Sequence, residues 1–125
     1  MLGNWVYESE RTRFPMQVVS IFDEDVYLDF TGNEGDVWEA KESDIMPIPL
    51  TEKIIQKFEG FEVGYYTHCL VYEQYSIIFR NNDNSANWLV SIYKIDNRVI
   101  SKSVKYVHEL QNIFKMYGID LKIEL

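Results

Sequence analysis

The chain has 125 residues, 46% of them hydrophobic and 15% aromatic, which supplies the core of one domain and is too apolar for a disordered segment. Its formal net charge is −8 and its one cysteine is Cys69, so no disulfide forms within this chain and a reducing compartment is expected. No run approaches the roughly 18 apolar residues of a membrane span, and Met1-Leu2-Gly3-Asn4-Trp5 lacks the basic start and apolar stretch of a secretory signal. The expected location is the cytoplasm, with no membrane partner.

Trp5-Val-Tyr7 reads as a short aromatic strand, followed by a charged turn from Glu8 to Arg13. Met16 to Phe22 is rich in β-branched residues and bounded by Pro15 and Asp23, and Val26 to Phe30 alternates Val26, Leu28 and Phe30 against Tyr27 and Asp29. Asp23-Glu24-Asp25 joins these two as a tight acidic turn. Gly32-Asn33-Glu34-Gly35 supplies residues that tolerate positive φ in a hairpin. The return strand, Asp36 to Lys41, places Trp38 and Ala40 on one face and Val37, Glu39 and Lys41 on the other. Short bent strands and tight turns predict a small SH3-like barrel or a curled sheet over residues 1–46.

Pro47 and Pro49 then fix φ and remove two backbone donors, so residues 47–51 form a stiff strap that no helix or central strand crosses. Thr51 suits a helix N-cap, Glu52 puts negative charge in the first turn, and Leu50 and Ile55 have the spacing of a hydrophobic staple. A short helix from Glu52 to about Glu59 is closed by Gly60. Tyr65–Tyr72, Tyr75–Arg80, Trp88–Lys94 and Arg98–Ser101 read as strands, with a polar loop over 81–87. Ser103 is placed to cap a last helix whose stripe is Val104, Val107, Leu110, Phe114 and Tyr117, ended by Gly118 and expected to pack on the second sheet. Residues 119–125 alternate without exception, predicting a C-terminal strand. The expectation is therefore α+β: the acidic β-rich module 1–46, the strap, and an α+β module 52–125, in one compact unit.

The charge is unevenly spread. Residues 1–50 hold eleven acids and three bases, net −8, whereas residues 51–125 hold nine of each. Turns lie at the surface, so Glu8, Glu10, Asp23, Glu24, Asp25, Glu34, Asp36 and Glu39 are expected to form a negative face, either a solvated rim or a surface for a basic protein partner. The same charge repels nucleic acid.

Catalytic and cofactor chemistry is thinly represented. His68, Cys69 and His108 are the only soft or imidazole metal ligands, and adjacent strand residues point to opposite faces, so no metal site is expected. No glycine-rich phosphate loop is present, and no cofactor is implied. A cysteine-dependent enzyme would need His108 to serve Cys69, whose apolar strand offers no cation to lower the thiol pKa. A non-enzyme is expected. The other alternative is single-stranded nucleic-acid binding by the C-terminal sheet, with Tyr65, Tyr72 and Tyr93 stacking bases.

The stretch Lys105-Tyr-Val-His-Glu-Leu-Gln-Asn-Ile-Phe114 followed by Gly118, with the Gly3-Asn-Trp5 start and the Pro47-Ile-Pro-Leu-Thr51 strap, resembles a family of small uncharacterised proteins of gut-bacterial genomes and their phages and prophages. The resemblance covers both ends and the strap but not Tyr65 to Ser101. It implies an intracellular bacterial or phage accessory protein and brings no activity or catalytic residue with it. A non-catalytic protein-interaction module is the function expected from all of these features.

Overall fold

Among the described residues, the β-branched and aromatic runs fold as antiparallel strands in two five-stranded sheets, accompanied by two short helices: an α+β architecture. The computed structural model describes residues 2–9, 14–30, 37–58, 61–63 (backbone only), 68–81, 86–95, 97–123 and 125. The chain divides into two units, one of Met1–Ile48, Tyr106–Gln111 and Glu124–Leu125, the other of Pro49–Lys105 and Asn112–Ile123. The expected hairpin at 32–35 and the Gly60 helix stop lie outside the described residues.

In the first unit, β1 (Trp5–Tyr7), β2 (Pro15–Phe22), β3 (Asp25–Asp29), β4 (Trp38–Lys41) and β5 (Met46–Pro47) lie in the order β4-β3-β2-β1-β5. Pro47 is tolerated because β5 is an edge strand, pairing among the described residues with β1 alone, where Val6 faces Pro47. Val6, Met16, Val18, Val26 and Leu28 form the buried cluster, with Phe30, Ala40 and Ile45 packed against it. A bulge at Val19 shifts the β2–β3 register between Val18 and Ser20. Such a bulge bends its strand, and beyond it every residue of β2 is exposed. Among the described residues the sheet is open, with β4 and β5 as its edges and no closed barrel.

Trp5 lies on the face opposite this cluster and is nonetheless only 3% exposed. Its backbone N–H donates to Gln111 Oε1 at 2.8 Å, while Gln111 Nε2 donates to Gly3 O at 3.2 Å. Val107 N–H donates to Ile48 O at 2.8 Å. Gln111 thus ties Gly3 and Trp5 together through one side chain, which is a structural role.

The second unit starts with α1 (Glu52–Ile55), capped by Thr51, whose Oγ1 accepts the Ile54 N–H at 3.3 Å. Its sheet runs β10-β9-β8-β7-β6, made of β6 (Phe61–Val63), β7 (His68–Tyr72), β8 (Tyr75–Arg80), β9 (Trp88–Lys94) and β10 (Asn97–Val104). Leu70, Ile77 and Ile92 form one buried row across the sheet, and Phe79 and Val90 another. The strap is tied in from both sides: Leu50 N–H donates to Lys105 O, and Leu50 O accepts the Trp88 indole N–H at 3.0 Å. Phe58 and Phe114 meet edge-to-face with centroids 5.8 Å apart.

Several boundaries differ from the sequence expectation. Ser103 does not cap a helix. It pairs with Leu89 inside β10, and the ladder holds the chain in strand as far as Val104. The last helix, α2 (Val107–Met116), starts instead behind Tyr106, whose N–H donates to Glu109 Oε1 at 3.0 Å. α1 stops at Ile55 rather than near Glu59 because Gln56 already acts as its C-cap. Of the expected stripe, Val107, Leu110 and Phe114 are buried on α2 together with Ile113, whereas Val104 belongs to β10 and Tyr117 lies past the helix, half-buried; Val107 and Leu110 count with the first unit, and Ile113 and Phe114 with the second. Residues 119–123 are not a strand. Ile119 and Ile123 are buried and Asp120 and Lys122 exposed, so the burial alternates without a hydrogen-bonded ladder.

Candidate functional site

The β2–β3 hairpin gathers part of the expected acidic face. Asp23 takes φ +59 in the turn, a conformation that aspartate tolerates better than most residues, and it is exposed beside Glu24. Glu42 N–H donates to Glu24 O at 2.8 Å, which brings the turn after β4 against the hairpin. Glu24, Lys41, Glu42 and Ser43 line an open recess of about 440 Å³ there. On the face opposite the core, Phe22, Asp25 and Lys41 form one row across β2, β3 and β4, and Ser20, Tyr27 and Glu39 the next. Lys41 Nζ donates to Asp25 Oδ1. This hydrogen bond and the Asp25 charge, with smaller help from Glu39 and Asp44, raise the lysine pKa above its ordinary 10.5.

Large apolar side chains are exposed among these acids. Phe22 is 73% exposed at the hairpin tip and Trp38 is 52% exposed on β4. Ile21 and Trp38 stand on the core side of the sheet, by their pairing with Val26 and Leu28, but outside the buried cluster; Val37 is exposed next to Trp38. The bulge at Val19 explains the position of Ile21 and Phe22, because it carries the end of β2 away from the core.

Of the residues expected to form the face, the structure brings together Asp23, Glu24, Asp25 and Glu39. Glu8 is placed elsewhere: its N–H donates to Phe14 O, at the start of β2, and eight strand residues separate it from the tip. At about 3.3 Å per residue that is roughly 25 Å. Glu10, Glu34 and Asp36 lie outside the described residues. Sequence reasoning missed Glu42 as a member; the turn signal after β4 could have found it, the cross-hairpin hydrogen bond could not.

The other expectations fare differently. Tyr72 pairs with Tyr75 on the side of the sheet that bears Leu70, whereas Tyr93 pairs with Ser76 on the opposite side. They share no stacking platform, and Tyr65 lies outside the described residues. Cys69 is half-buried in β7, with its Sγ 3.8 Å from Leu70 O. His68 Nε2 lies 3.5 Å from Glu52 Oε1, and its ring 5.9 Å from that of Trp88. His108 stacks on Tyr106 and counts with the first unit, Cys69 with the second. Among the described residues no three His, Cys, Asp or Glu side chains are grouped to hold a metal ion, and no helix is long and apolar enough to cross a membrane. Comparison with protein-family models, curated proteins and solved structures gives no match.

Proposed function

We propose that the protein is a non-catalytic interaction module whose first unit offers the acidic, apolar-tipped end of its sheet to a basic protein segment. One observation carries this reading: Phe22 is exposed at the hairpin tip beside Asp23, Glu24 and the Glu42 turn, and Val37 and Trp38 are exposed at the start of β4, next to Glu39. Exposed large apolar residues grouped with predominantly negative charge, Lys41 being paired with Asp25, mark interaction surfaces, and a solubilising rim alone would have no use for them. Acidic charge speeds encounter with a basic partner, and the aromatic side chains hold it once docked. The first sheet is proposed to be an SH3-like curl; its strand order, a four-strand meander with the fifth strand returning beside the first, supports that. The family resemblance supports a cytoplasmic accessory role in a bacterium, its phages or prophages.

The test uses a defined probe, a fluorescent peptide alternating lysine with leucine and tryptophan. Wild-type protein should bind it, with affinity falling as salt rises from 0.05 to about 0.5 M through screening. The triple reversal of Asp23, Glu24 and Glu39 to lysine, and separately Phe22→Ser, should each weaken binding at least tenfold while leaving the melting temperature nearly unchanged. Binding that survives both changes overturns the proposal.

A further inference from the structure

The β9–β10 hairpin of the second unit carries three features that the acidic surface does not explain. β10 is the last strand of its sheet, and among the described residues no strand lies on its other flank. Alternate residues of such an edge direct N–H and C=O groups away from the ladder, ready to pair with another chain. Of its eight residues six are exposed, Ile100 is half-buried and Val104 alone is buried, a pattern that leaves the flank uncovered.

The second feature is charge. Residues 97–105 contain Arg98, Lys102 and Lys105 and no acid, and Lys94 pairs directly with Asn97. The third is backbone strain at the head of the hairpin. Ile95 has φ +49, a conformation that a β-branched side chain adopts only at a cost, and it is 74% exposed, so burial offsets little of that cost. Asp23 and Glu73, each the first residue of a two-residue hairpin turn, take the same conformation, so the turn demands the φ; what sets Ile95 apart is a large, β-branched apolar side chain held exposed there.

We propose that the free flank of β10 takes an acidic extended segment of another protein as an added strand. The ladder supplies backbone hydrogen bonds, and Arg98 and Lys102 meet carboxylates from opposite sides of the sheet. Ile95 docks an apolar side chain at one end. The pairings place Arg98 opposite Tyr93 and Lys102 opposite Val90, and the bulge at Val99 puts the two bases on different faces. Lys102 and that bulge also guard the edge against indiscriminate pairing, and a second copy of β10 would align four like charges along one seam. An acidic strand meets no such penalty. Nucleic acid is less favoured because β10 carries no aromatic side chain and Tyr72 and Tyr93 lie on opposite faces.

The experiment titrates the full chain with a fluorescent eight-residue peptide alternating glutamate with valine, with the same peptide N-methylated at alternate amides, and with a single-stranded oligonucleotide of equal charge. The unmodified peptide should bind, and N-methylation, which removes strand-forming donors without changing charge, should weaken it at least tenfold. Lys102→Glu should do the same. Ile95→Asn should raise the melting temperature by relieving the φ strain and yet weaken peptide binding. Equal binding of both peptides, preference for the oligonucleotide, or self-association through β10 in sedimentation would each overturn the proposal. So would an Ile95→Asn variant that is more stable and binds as before.

Discussion

Truncating Phe114 to alanine tests whether the stripe of α2 is core. The ring is 2% exposed, meets Phe58 edge-to-face at 5.8 Å and 81°, and belongs to a residue whose carbonyl accepts the Ile119 N–H at 2.8 Å. Losing a buried phenylalanine costs about 3–5 kcal/mol in transfer and cavity energy. Of this, ~0.5–1.5 kcal/mol belongs to the aromatic pair and should appear as coupling in a Phe58/Phe114 double-mutant cycle. For a chain of this length each kcal/mol lowers the melting temperature by roughly 3–5 °C, so a fall of about 10–20 °C is expected. Circular dichroism melts and urea titration measure it, with Met116→Ala, at the exposed end of the same helix, as the control that should stay within ~0.5 kcal/mol. A Phe114→Ala melt within about 3 °C of wild type would refute the packing described for the second unit.

Three further outcomes follow from local chemistry. Gly118→Ala should destabilise by about 1 kcal/mol, read by the same melts: φ is +68, Ile119 N–H bonds Phe114 O and Gly118 N–H bonds Lys115 O in a Schellman motif, and the open space around the Cα leaves backbone strain as the cost. Thr51→Ala should cost about 0.5–2 kcal/mol, whereas Thr51→Ser should restore most of it, because Oγ1 is the acceptor for Ile54 N–H. The Asp25–Lys41 pair should contribute at neutral pH and fade in alkali: Lys41 is raised in the folded state, so its stabilisation is fully present below 10.5 and lost as pH climbs through the raised value. The melting-temperature difference between wild type and Lys41→Gln should therefore close at high pH; a gap that widens there contradicts the pairing.

Much of this fold was legible because strong local signals agreed with the tertiary outcome. Tyr75–Arg80 and Trp88–Lys94 are apolar runs bounded by turn residues, and their limits match the strands found. Thr51 caps α1 because its hydroxyl needs only a helix beginning at its own position. The failures arise where a distant partner decided. Ser103 has good capping chemistry, but pairing with β9 claimed it first. The alternation of residues 119–123 matches their burial and says nothing about a hydrogen-bonding neighbour. Glu8 and Asp23 carry the same charge in the same half of the chain, yet the length of β2 puts them at opposite ends of a sheet. The exposed Phe22 was hidden for a related reason, since a bulge at Val19 leaves no mark in residue type.

The central claim, that the acidic, apolar-tipped end of the first sheet is the working surface, is tested most directly by backbone amide NMR during titration with the lysine-rich apolar peptide. Saturable shifts are expected at Phe22, Asp23, Glu24, Trp38, Glu39 and Glu42, lost on adding salt, with the sheet of the second unit unmoved. Shifts centred on β7 to β10, or none up to millimolar peptide, would contradict it.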